Sequence, residues 1–252
     1  MRPENIYSLN TQIRFKANGR NALTGKLQSM DFAARITKQL AIGPQRYSQV
    51  LLVQLEEAAD ISLVAKLFDP RFCPRLSPLE WGGDPQVCCS ASMANECKAY
   101  EKLHELQGSV IPNFFGGHTC ILPSDDDLVS AVLLQYVTAP TLAEVRPEDL
   151  SADDRSALEK GCFHALGEIH SRGVYHQDIC ADNVLWDPIN KKPIIIDLNM
   201  ACFSDEARET AVKNEWLQSD EGSLRSMLRY FGITFKRYPA AGWFSKSGPL
   251  GS

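Results

Sequence analysis

The chain reads Val-Tyr-His-Gln-Asp-Ile-Cys-Ala-Asp-Asn-Val-Leu-Trp from residue 174 to 186 and, after a turn, Lys-Pro-Ile-Ile-Ile-Asp-Leu-Asn from 192 to 199. A polar loop containing His176, Asp178 and Asn183 precedes an apolar strand that starts at Val184. A second apolar strand follows and ends at Asp197. Acceptor side chains therefore converge at the strand ends.

The order of these residues resembles the catalytic loop and the metal-binding aspartate of protein kinases. In both, His-x-Asp is followed by an Asn five residues after the Asp and, beyond a strand, by a further Asp. The resemblance implies a phosphotransferase that uses ATP and Mg²⁺. In it, Asp178 would accept the proton of a substrate hydroxyl, and Asn183 and Asp197 would hold Mg²⁺.

The composition is that of a globular chain. Its 252 residues are 44% hydrophobic and 23% charged, and no apolar run approaches the roughly 20 residues of a membrane span. The first residues lack the apolar segment of a signal peptide, so we expect a cytoplasmic protein with no membrane partner. Eight scattered cysteines without Cys-x-x-Cys spacing indicate reduced thiols. The net charge of −5 argues against a large nucleic-acid-binding face.

The strand predicted from Ile61 to Phe68 carries one lysine among apolar neighbours. Val64, Lys66 and Phe68 share a face because side chains alternate along a strand. Such a lysine, taken alone, usually extends its ammonium group to solvent. Val64-Ala65-Lys66 nevertheless resembles the kinase strand whose lysine grips the nucleotide phosphates. The resemblance implies that Val64 and Lys66 belong to the cofactor site and that Lys66 also takes part in catalysis.

The helix predicted over about 92–107 includes one carboxylate in its apolar stripe. Glu96 lies three and four residues before Ala99 and Tyr100, so it projects from the same face. A carboxylate buried alone costs several kcal/mol, and an ion pair with Lys66 would account for both residues. The alternative is that Glu96 lies at the edge of the stripe in water.

The remaining first half is predicted to be an antiparallel sheet. Strands near 36–40 and 48–55 precede that of Lys66, and another ends near Val137. By its position this last strand resembles a kinase hinge, in which backbone groups near Gln135 and Val137 would bind an adenine. We interpret residues 1–34 as an extension without chemistry and residues 69–90, rich in proline and glycine, as an irregular insert.

The second half is predicted to be helical around a short hairpin. Ser151 followed by Asp154 is typical of a capping box, and the helix that it starts ends at Gly173. His164 and His170 lie on this helix without a paired carboxylate, so we assign them no role. Two further helices are predicted, at 204–213 and 220–230.

The predicted fold class is α+β, with the two lobes of a protein kinase. Residues 1–137 would form an N-terminal lobe with an antiparallel sheet and one helix, and residues 138–246 a minimal, mainly helical C-terminal lobe. Residues 247–252 resemble a linker tail and are excluded from the fold. Val-Ala-Lys-Leu-Phe-Asp-Pro, Glu-Cys-Lys-Ala-Tyr and His-Gln-Asp make the chain particularly similar to small atypical kinase-like proteins of fungi.

Three positions depart from the kinase pattern. The turn that would cover the phosphates offers one glycine, Gly43, which reduces close backbone approach. Gln177 replaces the arginine that would pair with a phosphorylated activation segment. Leu198-Asn199 stands where Phe-Gly is usual, and Asn199 is expected to keep the turn because asparagine tolerates a positive φ.

Three functions are compatible with this sequence. The first is an atypical kinase-like phosphotransferase acting on a protein hydroxyl or a small molecule. The second is a pseudokinase-like binding module with the insert as its interaction surface. The third is another group transfer on the same fold, either nucleotidyl or tRNA-dependent aminoacyl transfer. A tRNA partner would need a basic surface, for which the candidates are Lys98, Lys102, Arg146, Arg155, Lys160, Arg172 and the stretch 225–237.

Overall fold

A computed structural model describes residues 3–17, 31–44, 46–58, 60–73, 84–123, 128–206 and 210–235. They form a mixed α/β structure with antiparallel strands and few helices, which confirms the coarse fold prediction. The helices are α1 (Pro3–Ile6), α2 (Pro85–Lys102), α3 (Ala152–Ser171) and α4 (Thr210–Tyr230). The strands are β1 (Gln12–Ala17), β2 (Phe32–Ala41), β3 (Gln49–Leu55), β4 (Ser62–Phe68), β5 (Phe114–Ile121), β6 (Leu128–Gln135), β7 (Val174–Tyr175), β8 (Val184–Asp187), β9 (Lys192–Ile195) and β10 (Cys202–Phe203).

The chain forms two compact units. The first consists of Met1–Thr138 together with Asp197–Ala201, and the second of Ala139–Ile196 together with Cys202–Ser252. The two-lobed arrangement of a kinase stays a prediction. Among the described helices, none is both long enough and apolar enough to cross a membrane.

Six strands of the first unit form a closed antiparallel barrel in the order β1-β2-β3-β4-β6-β5. Buried residues alternate with half-buried ones along β3, as expected for a strand with one face toward a core. The inward side chains of β4 are Leu63, Ala65 and Leu67, which join the hydrophobic cluster of the barrel. The opposite face of β4, with Val64 and Lys66, is therefore directed out of the barrel.

The first strand corrects the interpretation of residues 1–34. β1 pairs with both β2 and β5, and Ile13 and Phe15 are almost fully buried. These residues therefore close the sheet and fill its core, whereas the interpretation from the sequence is an extension without chemistry. The alternation of Ile13, Phe15 and Ala17 with Arg14 and Lys16 is typical of a half-buried strand, so the sequence did contain a signal for β1.

Helix α2 begins at Pro85 rather than near Ser92. The side chain of Asp84 caps it by accepting a hydrogen bond from the N–H of Gln86 at 2.9 Å. Proline is favoured at the first helical position, where no N–H donor is needed. Part of the predicted irregular insert is therefore helical. Its residues 74–83 lie outside the described part of the chain.

In the second unit, α3 packs on the β8–β9 hairpin. The predicted capping box is present: the N–H of Asp154 donates to Ser151 Oγ, and the N–H of Ser151 donates to Asp154, both at 3.1 Å. Gly173 ends the helix with φ of 70°, and a Cβ at this position would lie 2.2 Å from Ser204 Oγ. Glycine is therefore required both by the left-handed backbone and by the close contact.

The two late helices of the prediction are one helix, α4. Asp220, expected to start the second of them, lies within α4 and is buried. Its carboxylate binds groups of another segment, so it does not cap a helix. Residues 207–209 and the predicted tail at 247–252 lie outside the described residues.

Candidate functional site

A cluster of three charged side chains lies in the first unit, and two of them, Lys66 and Glu96, are buried while Asp197 is half-buried. Lys66 Nζ is 2.8 Å from Glu96 Oε1, 2.6 Å from Glu96 Oε2 and 2.8 Å from Asp197 Oδ1. Lys66 is 3% exposed and Glu96 is fully buried. The ion pair predicted from the sequence is therefore present, and the alternative that Glu96 lies in water is wrong.

The fold explains why a lysine is buried here. α2 packs against β4, β5 and β6, and it covers the outer face of β4 that carries Lys66. Lys66 Nζ also lies 5.9 Å from the ring centre of Phe68, its neighbour on that face. Apolar surroundings of this kind strengthen the attraction between the ammonium group and its two carboxylates.

The charges of the cluster follow from its surroundings. Burial opposes the charge on Lys66, but Asp197 and Glu96 outweigh it, so the pKa of Lys66 is raised. Burial raises the pKa of Glu96 to about 7, against the opposing effect of the Lys66 ammonium group. Lys66 is therefore a cation at neutral pH, the form that binds phosphate oxygens.

The backbone turn at Asp197 differs from the prediction. Asp197 itself has a φ of 65°, whereas Asn199, predicted to need the left-handed conformation, does not have a positive φ. Aspartate adopts this region more readily than most residues. Leu198, which stands at the usual phenylalanine position, is fully buried.

The predicted adenine-binding residues also lie in the first unit. Val64 is half-buried on the face of Lys66, and Val137 follows the end of β6. The backbone N–H of Gln135 donates to the carbonyl of Asn113 at 2.9 Å. That N–H is therefore engaged within the protein and is not the group that would bind an adenine. The nucleotide-binding role of these residues stays a prediction.

The turn at Gly43 is closed by internal hydrogen bonds that sequence reasoning missed. The buried amide of Gln49 accepts from the N–H of Gly43 at 2.8 Å and donates to its carbonyl at 2.9 Å. The N–H of Arg46 donates to the carbonyl of Phe72 at 3.0 Å. A phosphate-binding loop directs its amide groups toward the ligand. Two amides of this turn are instead used within the protein.

In the second unit, a hydrogen-bonded loop carries Asp178 and Asn183. Asp178 is exposed, and its Oδ2 accepts a bond from Asn183 Nδ2 at 2.9 Å. Asn183 Nδ2 also donates to the carbonyl of Asp178 at 2.9 Å. Both bonds use the amide nitrogen, so the amide oxygen is the atom that Asn183 would offer to a cation. Asp178 is held in place while remaining accessible to a substrate.

His176 connects this loop to the strand that leads to Asp197. Its Nδ1 accepts from the N–H of Asp178 at 3.2 Å, and its Nε2 lies 2.9 Å from the carbonyl of Ile196. Since Nδ1 accepts, a neutral ring carries its proton on Nε2 and donates it to Ile196. The N–H of Ile196 in turn donates to Asn183 at 3.0 Å. Both backbone groups of Ile196, the residue that precedes Asp197, are therefore hydrogen-bonded to the loop.

Asp220 is a site residue that the sequence did not reveal. Its buried carboxylate accepts from the backbone N–H groups of His176 and Gln177, each at 2.7 Å, and binds Nε2 of His170 at 2.9 Å. His170 therefore has a carboxylate partner, contrary to the prediction. The two residues are fifty positions apart, and no local spacing signals such a pair.

An open groove of about 340 Å³ lies beside the loop in the second unit. The three residues that follow Asp178 form one part of it, and one face of α4 forms the other. Most of the lining is apolar, with serine hydroxyls, a thiol and a phenol among it. The lining residues are Ile179, Cys180, Ala181, Ser223, Ser226, Met227, Tyr230 and Phe231.

Asn183 and Asp197 suit a magnesium ion by their chemistry. Within the described residues, no group of three or more His, Cys, Asp or Glu side chains is placed to hold a metal. Mg²⁺ does not require such a cage, since it is commonly bound through one or two protein ligands together with substrate phosphates and water. The amide and carboxylate oxygens predicted as its ligands therefore fit the ion, and their role stays a prediction.

Comparison with known proteins gives two similarities. Residues 97–212 match the model of the APH family, described as the phosphotransferase enzyme family. A stretch of 113 residues is 24% identical to the serine/threonine-protein kinase D of Synechocystis sp. and covers 43% of this chain. The chain spans 22% of the length of that relative. The two similarities support a protein-kinase-like superfamily and a kinase-like phosphotransferase.

Proposed function

We propose that this chain transfers a phosphoryl group from ATP, with Mg²⁺, to a hydroxyl group. The observation that carries the proposal is the ion-paired cluster of Lys66, Glu96 and Asp197, in which the lysine and the glutamate are buried. Replacing a buried ionic group with apolar residues is often neutral or stabilising, so packing alone does not require one. A cation held between carboxylates suits a site that binds anionic phosphates.

The residues of the first unit would act on the nucleotide. Lys66 would bind its phosphates through Nζ, with Glu96 fixing the position of the ammonium group. Val64, Gln135 and Val137 would contact the adenine. Asp197 and Asn183 would hold Mg²⁺, which when bound neutralises charge on the phosphate oxygens.

The loop of the second unit would act on the acceptor. Asp178 would accept the proton of the attacking hydroxyl, for which its exposure is required. The hydrogen bond from Asn183 would keep the carboxylate oriented. We propose that the groove of about 340 Å³ beside Asp178 receives the acceptor. Its size and apolar lining favour a small alcohol with an apolar part over a charged peptide.

A binding module without catalysis is the second candidate, and the turn at Gly43 favours it. The N–H groups of Gly43 and Arg46, which a phosphate-binding loop would offer to the ligand, donate instead to the side chain of Gln49 and the carbonyl of Phe72. Such a protein would bind nucleotide weakly or not at all.

The particular similarity to fungal proteins and the cytoplasmic location remain proposals from the sequence.

Thermal unfolding with ATP, in the presence and absence of Mg²⁺, tests the proposed function. We expect Mg²⁺-ATP to stabilise the wild-type chain by about 3 kcal/mol at a hundredfold excess over its dissociation constant. Lys66→Ala and Asp197→Ala should lose this stabilisation, each compared with its own unliganded protein. Lys160→Ala, which removes an exposed lysine of α3, is the control and should retain it.

Release of ADP then separates the two candidates. A phosphotransferase should release ADP faster when a small alcohol acceptor is supplied, and Asp178→Asn should abolish this increase. Binding of Mg²⁺-ATP without any turnover over a panel of aromatic and aliphatic alcohols would contradict transfer to a small alcohol, whereas failure of every nucleotide to bind would favour the binding module. Absence of stabilisation by any nucleotide would contradict the proposal of an ATP-dependent transferase.

A further inference from the structure

Asn95, the residue before Glu96 on α2, binds the segment that contains Asp197. Its Nδ2 donates to the carbonyl of Asn199 at 2.9 Å and to the carbonyl of Ala201 at 2.7 Å. An amide nitrogen has two hydrogens, and both are used. The opposite orientation of the amide would place its oxygen against two carbonyl oxygens, so the donor assignment follows from the contacts.

The bound segment is a turn with few degrees of freedom. The N–H of Ala201 donates to the carbonyl of Leu198 at 3.1 Å, and the side chain of Leu198 is fully buried. The backbone of Leu198 lowers the pKa of the Glu96 carboxylate, against the larger effect of burial. Asn95 therefore binds the far end of the turn that follows Asp197 from the helix that also carries Glu96.

We propose that Asn95 is a positioning residue that fixes the Asp197 carboxylate by clamping residues 198–201 to α2. Asp197 has a left-handed backbone, a conformation that persists when surrounding contacts fix it. Asn95 supplies two such contacts, and Lys66 supplies the third at the carboxylate itself. The alignment of Asp197 for Mg²⁺ rests on the proposed function, whereas the clamp of residues 198–201 to α2 is independent of that function.

The surroundings of Gln177 indicate why a built-in clamp is useful. Gln177 stands where an arginine would pair with a phosphorylated activation segment. Its Nε2 donates to the carbonyl of Trp216 at 2.9 Å, within the second unit. A neutral amide engaged in this way offers no cation to a phosphate group. Gln177 therefore does not offer a phosphorylated segment the ion pair that an arginine would provide.

Amide hydrogen exchange on the full unliganded chain tests the clamp without reference to catalysis. In Asn95→Ala, exchange at Leu198 and Ala201 should become about tenfold faster, as expected from the loss of two hydrogen bonds. Asn95→Asp should show at least this change, because a carboxylate of the same shape cannot donate. Ser90→Ala, at an exposed position of the same helix, is the matched control. Exchange that is unchanged in both Asn95 variants would overturn the clamp.

The Mg²⁺ dependence of ATP-induced stabilisation tests the positioning role. In Asn95→Ala, the Mg²⁺ concentration for half-maximal effect should rise about fivefold to tenfold, while the apparent affinity for ATP at saturating Mg²⁺ changes less than twofold. Faster exchange with an unaltered Mg²⁺ dependence would leave the clamp standing and overturn its positioning role. A wild-type chain that does not respond to Mg²⁺-ATP would overturn the proposed function and this role, while the exchange result still decides the clamp.

Discussion

Asp220 accepts a hydrogen bond from the backbone N–H of His176 at 2.7 Å. The same carboxylate accepts from the N–H of Gln177, whose φ of 63° is unusual for a residue other than glycine. His170 binds it from α3. One buried side chain therefore holds the start of the loop that carries Asp178 and offsets the strain in its backbone.

Asp220→Asn should destabilise the protein by about 2–4 kcal/mol, because an amide group would face backbone donors that need an acceptor. For a chain of this size we expect the melting temperature to fall by roughly 4–12 °C. Differential scanning calorimetry measures the change. Glu215→Gln removes an exposed carboxylate from the same helix and should alter the melting temperature by about 1 °C or less. Equal effects of the two substitutions would contradict the role given to Asp220.

Ser151→Ala should destabilise the protein by about 1 kcal/mol, since the first turn of α3 loses its capping acceptor. Urea unfolding measures the change in the free energy of unfolding. Ser156→Ala, at an exposed position within the same helix, should be neutral or slightly stabilising because alanine is the better helix former. Similar losses in the two variants would show that the capping bonds do not contribute.

Local patterns predicted the parts of this structure that depend on neighbours in the chain. The capping box is visible because Ser151 and Asp154 are three residues apart. The pair of Lys66 and Glu96 was predicted although thirty residues separate them, because each is a charge on an otherwise apolar face. A buried charge requires a partner, and each residue supplies the one that the other lacks.

The features that the sequence did not predict depend on contacts with no local signal. Asp220 looks like a helix-starting residue until the loop at His176 is placed beside it. Pro85 resembles a helix breaker, yet Asp84 makes it the first residue of α2. β1 is a different case, because its alternating residues are a local strand signal and only its place between β2 and β5 depends on distant contacts.

The eight cysteines, all within the described residues, form no disulfide, and most are protected by burial. Burial raises the pKa of Cys97 to about 12 and holds the pKa of Cys162 well above its usual range. A thiol reagent such as DTNB should therefore label at most three thiols of the folded protein at about pH 8, and all of them in denaturant. The three half-buried cysteines are Cys97, Cys180 and Cys202. Cys180 lines the groove, so Cys180→Ser should lower the number of thiols labelled in the folded protein by one. Rapid labelling of more than three thiols would contradict the burial of the other five cysteines.

The ionisation of Glu96 should make stability depend on pH in a definite direction. Burial raises its pKa from 4.5 to about 7, so between these values the folded protein keeps a proton that the unfolded chain releases. The contribution of Glu96 to the free energy of unfolding is therefore fully present below about pH 4.5 and is lost as pH rises through about 7. Glu96→Gln keeps a neutral side chain of the same shape at every pH.

We therefore compare the free energy of unfolding of the wild type with that of Glu96→Gln. The wild-type value minus the variant value should decrease by ~3 kcal/mol between about pH 4.5 and pH 7.5. Urea unfolding at intervals across this range measures it. Glu101→Gln, which changes an exposed carboxylate of α2, should give a curve parallel to that of the wild type. A difference for Glu96→Gln that stays constant or increases with pH would mean that Lys66 outweighs burial and keeps Glu96 ionised throughout. In that case Lys66→Met should destabilise the protein by about 3–5 kcal/mol at neutral pH, the cost of leaving a buried carboxylate without its cation.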